Sequence, residues 1–399
     1  MSLERMMPER SILVFAPTTE GGHPEYVAKL LSGAVESRDG FGVVWPSAEP
    51  STMPVPYDRR RIQRIGARFP KIRDKEAMPR WKWVLERVSP LKRYDIAFVR
   101  WILRQPRRFD AIVIEEFQRY TLPLVILACR RKSDRVSLHL HNLRRHDYCG
   151  SVLDRIDEWT LFLGIRLCKS VVVHADSIGR DLIERNPGSR TDVFVVRHGV
   201  QAARSEVVHP EGTPKVLFFG INRRNKGLSV LVDALDLISD EVYLHVVGAT
   251  PDDYRAETTE ILQRVDSLEW SDGFVDPDQA RAHFDDASVV VLPYTGFEAQ
   301  SGVLHMAIEH GVPVVVSDVG ALGETVREHG LGLVVPPSDP AALAKAIRQI
   351  LLPVENEKYR KNAIRAQQEL SWATVGGDFV DAVLSNSGSR VDLKEVTSK

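Results

Sequence analysis

Residues 289–337 read VVVLPYTGFEAQSGVLHMAIEHGVPVVVSDVGALGETVREHGLGLVVPP, and the punctuation of this stretch decides the fold. The apolar run from Val289 to Leu292 stops at Pro293, as a strand buried on both faces of a parallel sheet does. A polar loop follows, and Ser301-Gly302 then opens a helix carrying Val303, Leu304, Met306, Ala307 and Ile308. Gly311 closes that helix, and Pro313 turns the chain into Val314-Val315-Val316. Open α/β sheets bind ligands at such strand–loop–helix junctions, because unpaired backbone N–H groups and the helix dipole point outward there. An anionic ligand is expected at this junction.

Working outward, the same alternation continues. Upstream, strands are predicted at 216–219, 242–247 and 273–275, with helices at 227–237, 258–265 and 278–284. The polar stretch 201–214 reads as a linker. Before it a second array has strands at 11–16, 42–45, 110–114, 136–141, 171–174 and 193–196, and helices at 96–104, 122–131, 153–167 and 178–184, the last capped by Asp176-Ser177. Two βα arrays of similar size predict an α/β protein of two Rossmann-like, doubly wound domains facing a cleft. The expected division is 1–200, 201–370, a helix at 371–386 packing back on the N-terminal domain, and a flexible tail at 387–399.

The composition is that of a soluble globular chain, 43% hydrophobic and 27% charged, and a net charge of -1 conceals an asymmetry. Residues 57–108 hold 17 Lys plus Arg against five acidic residues, a basic insertion in the N-terminal domain. Three cysteines without metal-like spacing, and no signal-like N-terminus, predict a reduced, cytoplasmic setting. The apolar run 122–129 is far short of the roughly 20 residues that span a bilayer.

The loop GINRRNKG, residues 220–227, ends a buried strand and places Arg223, Arg224 and Lys226 just before a helix. Cations beside unpaired amides suit a diphosphate, and the spacing is neither a Walker loop nor G-x-G-x-x-G. The bland alternative is a solvated turn. Asp276-Pro277-Asp278 could be a metal-binding pair, but its place before an amphipathic helix favours an N-cap.

FFGINRRNKGLSVLVDAL, the 289–337 stretch as far as GALGE, and GLGLVVPPSDPAALAKAI together resemble the donor-binding domain of glycosyltransferase family 4. GGHPEYVAKLL, HNLRRHD at 141–147, RHGV at 197–200 and SWATVGGDFVDAVL extend the likeness over nearly the whole chain. The resemblance implies the GT-B fold and a retaining transfer from a nucleotide-sugar donor. It implies that Arg223 and Lys226 clamp the donor diphosphate, that Ser301, Gly302 and Val303 offer backbone amides to the distal phosphate, and that Phe274 and Val275 lie against the base. His141 matches the family histidine that contacts the donor sugar, with a purely structural histidine as the alternative. Gly21, Gly22 and His146 fall on the acceptor side.

The departure lies in the carboxylates. The family commonly has two glutamates separated by seven residues; Glu298 is near the first position, while the second falls on Met306 or Ala307. The QSGV form resembles a branch without that second glutamate. No metal or other cofactor is implied, since cations and amides can carry the leaving-group charge. Trp81, Trp83 and Trp101 among the basic residues suggest an anionic membrane surface as a contact, against the alternative of a solvated insertion. A lipid-linked or other saccharide acceptor and an enzyme peripheral to the inner face of the membrane are therefore expected. No nucleic-acid recognition module is present. A catalytically weak sensor or scaffold on the same fold is the competing reading.

Overall fold

The computed structural model describes residues 10–16, 23–47, 61–66, 93–115, 117, 119–141, 143, 151–202, 206–207, 209–238, 242–296, 301–385 and 388–391. Contacts divide the chain into two compact units, Met1–Gly199 with Trp372–Lys399, and Val200–Ser371.

The first unit is built on β1 (Arg10–Phe15), β2 (Phe41–Ser47), β3 (Ile62–Gly66), β4 (Ala111–Ile114), β5 (Val136–Leu140), β6 (Ser170–Val173) and β7 (Asp192–Val195). They pair in parallel in the order β3-β2-β1-β4-β5-β6-β7, so the winding reverses between β1 and β4. β4, β5 and β6 are buried throughout; β4 and Val171–Val173 of β6 read as continuous apolar runs, whereas β5 carries Ser137 and His139. The helices are α1 (His23–Ser37), α2 (Arg93–Arg104), α3 (Leu122–Arg130), α4 (Val152–Leu167) and α5 (Asp176–Arg185). Ser151 starts α4 through a capping box with Asp154. α5 begins at Asp176 itself, with Ala175 at the cap and no side-chain cap bond, so the expected Asp176-Ser177 cap is not formed. The unit is completed from the far end of the chain by α13 (Trp372–Val380), where a Cβ on Gly33 would lie 1.8 Å from Trp372 O and one on Gly376 2.1 Å from Ala34 N. Only glycine at both positions lets the two helix backbones meet.

The second unit has β8 (Lys215–Phe219), β9 (Tyr243–Val247), β10 (Leu268–Ser271), β11 (Val289–Leu292), β12 (Val314–Ser317) and β13 (Gly332–Val335), in the order β10-β9-β8-β11-β12-β13. Here the winding reverses between β8 and β11. α6 (Leu228–Leu235), α7 (Asp252–Leu262), α8 (Pro277–Asp285), α9 (Gly302–Glu309), α10 (Leu322–His329), α11 (Pro340–Leu351) and α12 (Pro353–Glu369) cover the sheet. Two edge strands escaped the sequence reading. β10 is half-exposed, with no apolar run, and lies before the expected 273–275, where Gly273 (φ 148°) is already in a loop. β3 sits inside the basic stretch. Edge strands bury one face at most, so their signal is diluted.

Candidate active site

In the second unit the loops leaving β8 and β11 meet at the switch point. Gly220 (φ 103°) and Gly227 (φ 74°) bracket the first loop. A Cβ on Gly227 would lie 1.9 Å from Pro293 O, and one on Gly220 3.3 Å from Val303 Cγ2. Glycine thus lets this loop lie against both the segment leaving β11 and the start of α9. Thr295 N–H donates to Asn225 O at 3.0 Å, and Asn225 Nδ2 donates to Gly296 O at 3.2 Å. Asn222 anchors the loop from below, its N–H on Ala249 O at 2.9 Å and its Nδ2 on Thr258 Oγ1 at 3.1 Å.

The three cations of the loop have separate situations. Arg224 donates from Nε to Glu257 at 3.0 Å and lies 4.7 Å over the Tyr254 ring, which ties it to α7. Arg223 is exposed and carries no ion pair among the described residues. Lys226 Nζ sits 3.6 Å over the Tyr294 ring. Burial, with Arg223 adding to it, pushes the Lys226 ammonium down to about 8. Across the loop, Ser301 precedes α9 without capping it, its hydroxyl 3.2 Å from that of Tyr294. The first-turn N–H groups, at Gly302 and Val303, are therefore not taken by a side-chain cap. A Cβ on Gly302 would meet nothing within 4 Å, so the backbone is open to approach.

Phe274 is 89% exposed beyond β10, whereas Val275 packs against the core beneath β11 and β12. Asp276 caps α8 by accepting Gln279 N–H at 2.9 Å, in agreement with the N-cap reading. Ala307 is buried and Met306 packs against the same core, so neither candidate for the second glutamate position offers a polar group. Glu309 accepts Gln201 N–H at 2.8 Å. Glu298, Gly21, Gly22, His146, Trp81 and Trp83 lie outside the described residues.

In the first unit, β4, β5, β6 and β7 are each followed closely by a polar residue, Glu115, His141, His174 and His198. His139 stands one pleat back on β5; His23 and Tyr26 come from the start of α1. Glu115, fully buried, accepts from His139 Nδ1 at 2.6 Å and from His141 Nε2 at 2.7 Å. His141 Nδ1 lies 2.9 Å from His174 Nε2, and His174 Nδ1 donates to Val196 O at 2.9 Å. Burial alone would raise the Glu115 carboxyl, but His139 and His141 outweigh it and hold it well below the usual carboxylate range. Burial pushes His141 and, more strongly, His174 below the ordinary imidazole value; Glu115 pulls His141 the other way. Glu115 is thus the anion of the group. Sequence reasoning singled out His141 alone, and both of its nitrogens are engaged here.

The expected membrane-facing tryptophan behaves differently. Trp101 is half-buried and stacks on Phe98 at 6.0 Å between ring centroids, with Phe98 against Phe15 at 3.7 Å. Among the described residues, the exposed large apolar side chains of this unit are Leu103 of α2, Leu124 and Leu127 of α3, and Val152, Ile156, Trp159 and Leu163 of α4.

Comparison with known proteins adds likenesses to this geometry. Residues 213–352 match the family described as Glycosyl transferases group 1. A phosphatidyl-myo-inositol mannosyltransferase of Mycobacterium leprae is 30% identical over 226 residues, which is 55% of this chain and 58% of the relative. D-rhamnosyltransferase WbpZ of Pseudomonas aeruginosa is 31% identical over 158 residues, 39% of this chain and 40% of the relative. The match to the mannosyltransferase thus spans little more than half of its length. Among solved structures, sucrose-phosphate synthase of Thermosynechococcus elongatus superposes with a TM-score of 0.70 at 20% identity, over 95% of this chain and all of the other. Anabaena HepE in complex with UDP gives 0.66 at 15%, again over 95% of this chain and 100% of the other. The two parallel sheets are those of the GT-B fold. Residues 213–352, within the second unit, are therefore similar to the group 1 glycosyltransferases.

Proposed function

We propose that the chain is a retaining glycosyltransferase, moving a sugar from a nucleotide-sugar donor to a saccharide or lipid-linked acceptor in surface polysaccharide or glycolipid synthesis. The observation that carries this is the edge of the second unit, where the loop bearing Arg223 and Lys226 lies, through Gly220 and Gly227, against the segment leaving β11 and the uncapped start of α9. Such an edge is complementary to a diphosphate, and more so as the sugar departs and charge builds on the leaving oxygen. Arg223 and Lys226 are the charge partners, Ser301 to Val303 the amide donors, and Phe274 an exposed face for a base. His141, with Glu298 where the family places its sugar-side carboxylate, addresses the donor sugar, and Gly21, Gly22 and His146 belong to the acceptor side. The charge is supplied by side chains and amides, so the transfer step calls on no metal. Met306 and Ala307 in place of a second glutamate mark the QSGV branch.

The apolar stripe of α4 supports a lipid-facing role for the first unit. Val152, Ile156, Trp159 and Leu163 repeat at helical spacing on one exposed face, with exposed Arg130, Arg131 and Arg155 on α3, at its end and on α4. Among the described residues no helix is long and apolar enough to cross a membrane, so the proposed contact is peripheral, at the cytoplasmic face.

The missing second carboxylate is the one observation that favours a sensor or scaffold. A panel of nucleotide sugars separates the two readings: donor hydrolysis or transfer supports the enzyme, and saturable binding without turnover supports the sensor. Failure to sediment with anionic vesicles at moderate salt would remove the membrane contact alone.

A further inference from the structure

The imidazole cluster of the first unit contains two unsatisfied atoms. His139 Nε2 and Tyr26 Oη are buried without a hydrogen-bond partner among the described residues, a state that native interiors seldom leave uncompensated. The positions of the hydrogens follow from the acceptors. The Val196 carbonyl can only accept, so His174 carries its hydrogen on Nδ1. The Glu115 carboxylate can only accept, so His139 carries one on Nδ1 and His141 one on Nε2. As neutral rings, the three present lone pairs at their opposite nitrogens. His141 Nδ1 and His174 Nε2 then face each other at 2.9 Å, where two lone pairs repel unless a cation lies between them. One donor nitrogen of each of the three rings lies within 4.8 Å of the other two.

We propose that His139, His141 and His174 form a transition-metal site for Zn2+ or a similar divalent cation that favours imidazole. A proton would bridge only His141 and His174 and leave His139 Nε2 orphaned; a metal ion takes a lone pair from all three. The outer hydrogen bonds are those that ligating histidines require, each ring donating its other N–H to a carboxylate or carbonyl that fixes tautomer and orientation. Glu115 holds two of the rings and Val196 the third. Zn–N bonds of about 2.0–2.1 Å bring the nitrogens to roughly 3.4 Å from one another, which modest ring rotations achieve. Tyr26, its ring centroid 5.1 Å from that of His141 and 5.7 Å from that of His174, stands beside the fourth position. His141 provides the way in, its side chain 29% exposed while His139 and His174 are fully buried. The site draws nothing from the diphosphate-type edge of the second unit, but it takes His141, so a bound metal ion would remove the sugar-contacting role given to that ring and leave the Arg223–Lys226 reading untouched.

The full chain, stripped with EDTA and dialysed against Zn2+ alone, should retain about one equivalent and melt at a higher temperature. Loaded with Co2+, it should show the intense visible absorption of a tetrahedral site. Glu115→Gln keeps all three ligands and should weaken Zn2+ binding about 10- to 100-fold; His139→Gln should weaken it further. No saturable Zn2+ or Co2+ binding by the folded wild type overturns the proposal and leaves a proton between His141 and His174. Wild-type affinity in His139→Gln overturns it too, by placing the metal elsewhere. Should that variant not fold, the wild-type Co2+ spectrum decides, weak octahedral absorption counting against the site.

Discussion

Beyond β8 and β11 the polar groups are cations and amide donors, set in place by glycine loops. Beyond β4 to β7 they are one carboxylate and several imidazoles, bonded chiefly to each other. Both sets occupy the carboxyl ends of parallel strands beside a switch point, so the scaffold is the same. What differs is how much hydrogen-bonding capacity the fold itself has consumed. An edge that keeps Arg223 unpaired among the described residues and α9 uncapped retains charge and donors that the fold has not used. An edge in which Glu115 is shared by two rings, and His174 is held on Val196 O, offers rigidity instead.

The comparison breaks first at Glu115. Glu115→Ala leaves the N–H groups of buried His139 and half-buried His141 without their acceptor and should cost about 2–4 kcal/mol in urea unfolding; a loss under about 1 kcal/mol would mean that the cluster does not hold the unit together. Lys226→Ala should do the reverse, lowering kcat/KM for the donor about 100-fold or more with little change in unfolding. Next comes pH. Lys226 carries its charge below about 8 and loses it above, so kcat/KM for the donor should fall with rising pH across that value. Lys226→Arg should move that limb out of range, because guanidinium stays charged; an unmoved limb would assign it to another group. Arg224→Ala removes exposed ion pairs to Glu257 and Asp253 and should change stability by about 1 kcal/mol or less, with turnover nearly intact. Asp276→Ala, which deletes the α8 cap, should cost about 1 kcal/mol in unfolding and nothing in metal dependence.

The second unit was legible because its signals are local. Val289–Leu292, Gly220, Gly227 and the start of α9 each show in a few consecutive residues, since buried parallel strands are apolar throughout and glycine is required where φ is positive. The resemblance already set Arg223 apart from Arg224, and the fold adds a reason in α7, which approaches Arg224 from residues 253–257. The cluster of the first unit was not legible as a cluster, because its members come from four strand ends and one helix. Two signals were there to be read. The spacing of His139 and His141 puts both on one face of a strand, and Glu115, His141 and His174 each follow directly on a buried strand. Edge strands β3 and β10 lacked any comparable mark.

The pairing of α1 with α13 has a bearing on the order in which the molecule forms. Arg38 and Asp381, joined across these helices, are 343 residues apart in the sequence. The Val200–Ser371 unit is contained between the two halves of that contact, and it holds its own ends together through Val200 N–H on Leu370 O at 2.8 Å. A ribosome therefore finishes the donor-type unit while α1 still lacks its partner. Until α13 is made, the face of α1 around Gly33 and Ala34 lacks its cover, and covering it depends on closure of a very long chain. A prefolded second unit shortens that ring to its neck, so the insertion acts as the staple that lets the first unit close.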